Sequence, residues 1–273
     1  MDSIFRKDVL RGKIALITGG GSGIGLEISK CLVEHGAKAV ILGRNLKRLE
    51  DALAHFQKGT CSAAQCDVRN TDQVAKAVKQ AMDQHGKIDI LINCAAGNFL
   101  APFETLSSKG FKTVIEIDTI GTFNVTKEVF TQSMKSGGGI IINISSTLQM
   151  PAVNMISHAA AAKAAIDSLT RSLAVELGPK RIRVNGVAPG MIEGTEGLSR
   201  LNPAKDVKLD GRVPQIPLQR SGKKSEIAQA VLFLILAEYI TGQTLVVDGG
   251  LVLSFPNFTL AFPDVFQAWS SKL

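Results

Sequence analysis

The chain has few aromatic side chains that could stack on nucleic-acid bases: its 273 residues include one tryptophan and one tyrosine. Proteins that hold single strands combine such aromatic residues with dense basic runs. No dense basic run is present, and the net charge of +7 is spread along the sequence. The sequence therefore argues against a nucleic-acid partner. The excess charge fits an anionic small ligand, with an ordinary solvated basic surface as the alternative.

Long apolar runs and paired cysteines are also absent. No apolar run approaches the roughly 20 residues that span a bilayer. The beginning, MDSIFRKDVLRGK, has no apolar stretch of signal-peptide length. We therefore expect a soluble protein with no membrane span. The four cysteines form no CxxC pair and no Cys/His cluster, which predicts reduced thiols and no metal site.

Short β-branched runs alternate with longer amphipathic runs. Strands are predicted at 13–19, 39–44, 61–68 (the weakest), 88–95, 139–146, 181–190 and 244–250, and helices near 24–35, 46–56, 71–85, 108–135, 157–178 and 224–236. The alternation predicts an α/β fold, a single-domain Rossmann-like doubly wound parallel sheet of about seven strands. No linker divides residues 1–273, and the polar, irregular stretch 191–222 is predicted to be a substrate loop.

A glycine-rich turn, TGGGSGIG, follows the first predicted strand and opens a helix. Glycines permit a tight turn and close approach of the backbone to a ligand, and the start of a helix offers N–H groups to a pyrophosphate. Glycines also serve ordinary turns, but the strand before and the helix after favour dinucleotide binding. The predicted cofactor-binding residues are Gly19, Gly20, Gly21, Ser22, Gly23, Ile24 and Gly25.

The residues after the second predicted strand favour NADPH/NADP as the cofactor. An acidic residue there would bind the adenosine ribose and repel a 2′-phosphate. The chain has Arg44 and Asn45 instead. An arginine can pair with a phosphate through two hydrogen bonds, although a solvated arginine is the alternative. Asp67, at the end of the third predicted strand, is expected to meet the adenine, and Arg69 adds positive charge nearby.

Five motifs together resemble the short-chain dehydrogenase/reductase family. They are TGGGSGIG, the NCAAG of 93–97, the NISS of 143–146, Lys163 and the PG of 189–190, and the resemblance runs from about residue 10 to the VDGG of 247–250. It implies a seven-stranded sheet and a homo-oligomer, a tetramer or a dimer. It also implies cofactor contacts from Lys163, Pro189 and Gly190, with Lys163 on the nicotinamide ribose.

Four more motifs resemble the peroxisomal 2,4-dienoyl-CoA reductases within that family: CAAGNF (94–99), IDTIGTFN (117–124), PGMIEGTEGLSRL (189–201) and IPLQR (216–220). This resemblance implies an acyl-CoA substrate. The implied reaction is NADPH-dependent reduction of 2,4-dienoyl-CoA to 3-enoyl-CoA in peroxisomal oxidation of unsaturated fatty acids. The implied substrate-binding residues are Arg69, Asn98, Phe99, Gly194, Thr195 and Arg200.

The chain departs from the wider family at Ala159, four residues before Lys163, where a tyrosine is usual. Ketone reduction uses that phenol as a proton donor. A conjugated thioester needs instead a donor for the dienolate oxygen and an acid near C2. The predicted catalytic residues are Lys163, Asp118 (in place of the family's asparagine) and, more weakly, Asp248, while Ser146 matches the usual serine. Asp118 is expected to deliver the proton to C2, either directly or by orienting a water shared with Lys163, and Asp248 is the weaker second candidate for this acid. Two alternatives stay open: a reductase of 2-enoyl-CoA or another activated alkene, and a non-catalytic NADP-binding protein.

The last three residues of the sequence are Ser271-Lys272-Leu273. Peroxisomal import receptors bind this tripeptide when it is free at a C-terminus. Coincidence on a polar tail is the alternative. We therefore expect an import receptor among the partners and a location in the peroxisomal matrix.

Overall fold

A computed structural model describes residues 5–150, 153–200 and 216–254. Its strands are β1 Ile14–Thr18, β2 Lys38–Gly43, β3 Cys61–Gln65, β4 Ile90–Asn93, β5 Gly139–Ile144, β6 Ile182–Pro189 and β7 Thr244–Val247. All seven pair in parallel in the order β3-β2-β1-β4-β5-β6-β7. The predicted fold class is confirmed. The weakest predicted strand, 61–68, forms β3 at the edge of the sheet.

Nine α-helices connect the strands in the described part of the chain: α1 Gly23–Glu34, α2 Leu46–Leu53, α3 Thr71–His85, α4 Ser108–Ile115, α5 Gly121–Val129, α6 Lys135–Gly137, α7 Ser157–Leu177, α8 Glu196–Arg200 and α9 Lys224–Leu236. The single helix predicted at 108–135 is a run in which π-helical segments Glu116–Ile120 and Phe130–Met134 separate α4, α5 and α6. None of these helices is both long and apolar enough to cross a membrane.

The sheet carries a hydrophobic core on each face. On one face α1 and α9 pack through side chains such as Ile28 and Ile227, and on the other α3, α5 and α7 pack through side chains such as Val78 and Val125. Because both faces are covered, the central strands are apolar throughout, as in β1, whose five residues are all buried.

The order of the strands places a crevice at their carboxyl ends between β1 and β4, where the chain changes direction across the sheet. Ligands of doubly wound sheets bind at this position. The Thr18 hydroxyl oxygen accepts hydrogen bonds from the backbone N–H groups of Cys94, at 2.9 Å, and Ala95, at 3.0 Å. These bonds tie the end of β1 to the loop after β4 and so fix the two sides of the crevice.

Candidate active site

A cavity of about 1090 Å³ occupies this crevice, lined by the loops at the carboxyl ends of β1 to β6. The predicted cofactor residues that line it are Gly19, Gly21, Ser22, Gly23, Ile24, Gly25, Arg44, Asn45, Asp67, Lys163, Pro189 and Gly190. The predicted substrate residues that line it are Asn98, Thr195 and Arg200. The structure thus brings together residues from both halves of the sequence.

The glycine turn between β1 and α1 has no room for larger residues. Gly19 and Gly23 have φ angles of +67° and +56°, which L side chains rarely adopt. A Cβ at Gly25 would lie 2.4 Å from the Gly19 carbonyl oxygen. The open turn and the N-terminus of α1 therefore fit a dinucleotide pyrophosphate. Gly20 packs on Ile41 instead, since a Cβ at Gly20 would lie 2.6 Å from that side chain. Gly20 therefore shapes the turn but does not line the cavity.

The adenosine end of the cavity carries Arg44, Asn45 and Asp67. Asn45 also begins α2, since its side chain accepts a hydrogen bond from Arg48 N–H at 3.0 Å. Arg69 donates to Asp67 through Nε and Nη2, the latter at 2.6 Å, and this bond holds the pKa of Asp67 below its usual range. Arg69 is not among the residues that line the cavity, and its guanidinium contacts Asp67. Its substrate contact stays a prediction.

A buried ion pair lies in the cavity near the predicted position of the nicotinamide. Lys163 Nζ is 3.0 Å from Asp118 Oδ2 and donates to the Ile144 carbonyl oxygen at 3.1 Å. Asp118 Oδ1 accepts from Gly97 N–H at 2.7 Å. Asp118 is 1% exposed and Lys163 7%. One carboxyl oxygen thus accepts a backbone hydrogen bond, and the other faces the Lys163 side chain at ion-pair distance.

Local structure explains how this pair forms. Asp118 lies in the first π-helical segment, and such wider turns often occur at functional sites. Lys163 projects from α7, and Ala159, one turn earlier on the same face, lines the cavity as well. The chain's one tyrosine, Tyr239, is fully exposed. No phenol therefore occupies the family's usual position. Ser146 lines the cavity, and because its oxygen accepts from Leu148 N–H at 3.2 Å, its O–H remains free to donate.

Asp248, the second predicted acid, belongs to the turn after β7. Its carboxyl oxygens accept from Gly250 N–H and Val252 N–H, each at 2.8 Å. Asp248 is not among the residues that line the cavity, and a Cβ at Gly190 would lie 2.6 Å from the Asp248 Cβ. Asp248 therefore shapes the turn and the backbone position of Gly190. Its role as a second acid stays a prediction.

The substrate side is formed by α8 and the loop after β4. Thr195 caps α8 by accepting from Leu198 N–H at 3.2 Å. Phe99 and Gly194 do not line the cavity, but each is adjacent in sequence to a residue that does, Asn98 and Thr195 respectively. The Phe99 ring packs on His158. Residues 201–215 of the predicted substrate loop lie outside the described residues, as does the tripeptide 271–273.

Arg48 and Glu196, which sequence reasoning missed, form an ion pair between the two sides of the cavity mouth. Arg48 Nη1, on α2, lies 2.7 Å from Glu196 Oε1, on α8. The other oxygen of Glu196 is 3.2 Å from Arg200 Nη2. The spacing of Glu196 and Arg200 on one helix is a signal that could have revealed that half of the cluster. No spacing signal relates Arg48 to Glu196.

Metal chemistry has no support in the described ranges, where no cluster of His, Cys, Asp and Glu side chains could hold an ion. The four cysteines are free thiols.

Comparison with known proteins adds four similarities. Residues 19–252 match the protein family described as enoyl-(acyl carrier protein) reductase. The peroxisomal 2,4-dienoyl-CoA reductase [(3E)-enoyl-CoA-producing] of Pongo abelii is 48% identical over 275 residues, which cover 99% of this chain and 94% of that protein.

Two solved structures share the fold. A short-chain dehydrogenase from Bacillus anthracis has a TM-score of 0.81 and 39% identity, covering 88% of this chain and 96% of that one. A gluconate 5-dehydrogenase from Burkholderia cenocepacia, solved in complex with NADP and tartrate, has a TM-score of 0.83 and 34% identity, covering 89% and 96%.

Proposed function

Because the chain belongs to the short-chain dehydrogenase/reductase family, we propose that it is an NADPH-dependent 2,4-dienoyl-CoA reductase producing 3-enoyl-CoA. The near full-length similarity to a reductase of that name supports this function. So does the site, where a buried Lys163–Asp118 pair faces a cavity without a tyrosine. The function serves the peroxisomal oxidation of unsaturated fatty acids.

NADPH is the cofactor. The glycine turn and the start of α1 hold its pyrophosphate, Arg44 holds the 2′-phosphate, and Asp67 stands at the adenine. Lys163 contacts the nicotinamide ribose, and Pro189 and Gly190 contact the nicotinamide. These residues line one continuous cavity. The solved relative in complex with NADP is consistent with this choice.

The reaction is a conjugate reduction. NADPH, when bound, supplies a hydride. The new C–H bond forms at C5 of the dienoyl thioester, the double bonds shift along the chain, and negative charge reaches the thioester oxygen as a dienolate. A proton then bonds to C2, the C3–C4 double bond remains, and the carbonyl re-forms. One hydride and one proton have been added in total, and no phenol at the ketone-reducing position is required.

The protein's part is to stabilise the oxygen and deliver the proton. The free Ser146 O–H is the donor for the dienolate oxygen. Lys163 Nζ holds the transferable proton, and the Asp118 carboxylate holds that ammonium in place, so the proton reaches C2 through a water that the pair orients. Direct donation by an Asp118 carboxylic acid, the other form of the sequence hypothesis, would leave the Lys163 ammonium without its paired carboxylate. Asp118 is in this proposal a positioning residue.

The substrate loop, residues 191–222, covers the acyl-CoA. Asn98, Thr195 and Arg200 line the cavity on this side. Arg200 is the candidate contact for the CoA phosphates, because its guanidinium is half-exposed and shared with only one carboxylate oxygen.

Stopped-flow oxidation of NADPH tests the function. We expect rapid oxidation with 2,4-hexadienoyl-CoA, slow or no oxidation with 2-hexenoyl-CoA, and 3-hexenoyl-CoA as the product. Oxidation with 2-hexenoyl-CoA at a comparable rate would favour the alternative of a 2-enoyl or activated-alkene reductase. NADPH binding without oxidation by either thioester would favour a non-catalytic protein.

The peroxisomal matrix is the proposed location. Where Ser271-Lys272-Leu273 is the free C-terminus, it is a ligand for the peroxisomal import receptor. A fluorescent protein fused to the N-terminus leaves that end free. We expect the fusion in peroxisomes and the same fusion lacking residues 271–273 in the cytosol; import of the shortened chain would contradict this.

A second copy of the chain is the proposed partner at α5 and α7. Two exposed apolar side chains, Ile120 and Phe123, help to line a groove of about 490 Å³, whose other lining residues are Thr119, Ala165, Ser168, Leu169 and Ser172. An exposed apolar surface of this kind can pack against the same surface of a second, identical chain. Light scattering should give a dimer or tetramer, and Phe123→Glu should lower the mass toward that of a monomer.

A further inference from the structure

His158 lies beside the active site, buried and without an evident polar role. It is the second residue of α7, is 0% exposed, and precedes the cavity-lining Ala159. Neither ring nitrogen has a hydrogen-bond partner of ordinary distance and angle within the described part of the chain, although the Phe99 backbone lies close enough to the ring to raise its pKa. A buried imidazole without a well-formed hydrogen bond costs stability relative to an apolar ring of similar size. The ring contacts of His158 therefore bear on its role in the site.

The contact that His158 does make is with an aromatic ring. Its ring centroid is 4.3 Å from that of Phe99, with an interplanar angle of 30°. On another side the Phe99 ring approaches α4, since a Cβ at Gly110 would lie 3.1 Å from Phe99 Cζ. Phe99 is thus held between α7 and α4. The residue before it, Asn98, lines the cavity and reaches α8 through the Gly197 carbonyl, at 3.4 Å.

The charge state of His158 argues against a role as the missing acid. Burial lowers its pKa, and the opposing effects of the Phe99 backbone and the Asp118 charge do not offset that shift. The imidazole is therefore uncharged at neutral pH and has no surplus proton to donate. A neutral ring without a well-formed hydrogen bond contributes mainly through its shape and its aromatic face.

We infer that His158 is a positioning residue for the substrate, acting as an aromatic support that fixes Phe99 beside Asn98 at the acyl side of the cavity. The inference rests on the proposed function, since the substrate it concerns is a dienoyl-CoA. Displacement of Phe99 weakens acyl-CoA binding while the nicotinamide side, formed by other residues, is unaffected.

Steady-state kinetics with 2,4-hexadienoyl-CoA on His158→Phe, His158→Ala, Phe99→Ala and the double alanine variant tests this. His158→Phe should keep the parental kcat and both KM values and should raise the Tm. His158→Ala should raise the dienoyl-CoA KM about three- to tenfold, the factor that an aromatic pair contributes, with the NADPH KM unchanged. The double variant should match Phe99→Ala, because the two residues act as one unit.

Leu177→Ala is the matched control, since Leu177 is buried near the other end of α7, away from the cavity. It should lower the Tm without changing either KM. If His158→Ala does not fold, Gly110→Ala displaces the Phe99 ring from its other side and should also raise the dienoyl-CoA KM alone.

Three results would overturn the inference: an equal KM increase in His158→Phe and His158→Ala, additive effects in the double variant, or an unchanged KM in Gly110→Ala. Each leaves the proposed function intact, since the parent protein still reduces the substrate. A parent that does not oxidise NADPH with hexadienoyl-CoA overturns the proposed function and this inference with it.

Discussion

Arg48 and Glu196 meet at 2.7 Å across the mouth of the cavity and join α2 to α8. Helix α2 begins directly after Arg44 and Asn45, at the adenosine end, whereas α8 belongs to the loop that carries the substrate residues. Both side chains are half-exposed. Exposed ion pairs contribute about 0–1 kcal/mol, so this contact can hold the mouth closed and still open within a catalytic cycle.

Glu196→Gln should speed the dissociation of NADPH about two- to fivefold, the factor that corresponds to an exposed ion pair. Stopped-flow displacement of bound NADPH measures it. The difference from the parent should vanish in about 1 M salt, where exposed charges are screened. Lys79→Gln removes the similarly exposed pair with Asp83, at 2.9 Å on α3, and is the control. Equal rates of NADPH dissociation from the parent and from Glu196→Gln at low salt would show that the Arg48–Glu196 contact does not hold the cavity mouth closed.

Arg200→Ala should act on the other ligand. It leaves the Arg48–Glu196 contact in place and removes the cation assigned to the CoA phosphates. We expect the dienoyl-CoA KM to rise about tenfold, as for a lost hydrogen bond to a charged group, with little change for NADPH. Parallel increases in both KM values would indicate general destabilisation of the loop instead.

The fold was predictable because its signals are local. Most strands are short β-branched runs, and some helices have their own cap and stop, such as Asn70 before α3 and Gly86, with a φ of +76°, after it. The glycine turn was predictable for the same reason, since the strand, turn and helix are adjacent in sequence. The π-helical segments were missed because their side chains keep a nearly helical period.

The site was less predictable wherever a contact joins side chains from different helices or loops. The pairing of Asp118 with Lys163 depends on how α7 packs against the first π-helical segment, which no spacing reveals. Asp248 and Arg69 each make short-range hydrogen bonds within their own turns, which no motif reveals. A motif therefore identifies the kind of residue, but the hydrogen bonds that it makes require the structure.

Arg44→Ala should reduce the preference for NADPH over NADH. Arg44 lines the adenosine end of the cavity, and its charge is the one assigned to the 2′-phosphate. Loss of a two-bond contact to a phosphate should raise the NADPH KM about ten- to a hundredfold, with the NADH KM nearly unchanged. Equal KM changes for the two cofactors would place the 2′-phosphate elsewhere.

The cysteines should resist alkylation in the folded protein. Burial raises the pKa of Cys94, which lines the cavity, to about 11, and that of Cys61 to about 12. A raised pKa keeps the thiol protonated until the pH approaches that value, so at pH 8 only about one Cys94 thiol in a thousand is the reactive thiolate. Iodoacetamide followed by mass spectrometry should label all four cysteines in guanidinium chloride and few in the native chain. Rapid native labelling of Cys94 would contradict this.

Asp118→Asn tests the buried ion pair most directly. The amide oxygen can still accept from Gly97 N–H, so the loop after β4 should keep its position, but the amide cannot pair with the Lys163 ammonium. We expect folding and NADPH affinity to survive and turnover to fall by about 10²–10⁴-fold, as when a proton-transfer group is lost. Asp167→Asn is the matched control: it is a buried carboxylate one turn beyond Lys163, held by Gln149 and Thr244, and does not line the cavity. The control should change stability and leave turnover near the parental rate. An Asp118→Asn variant that reduces dienoyl-CoA as fast as the parent would show that the proton reaches C2 without this pair.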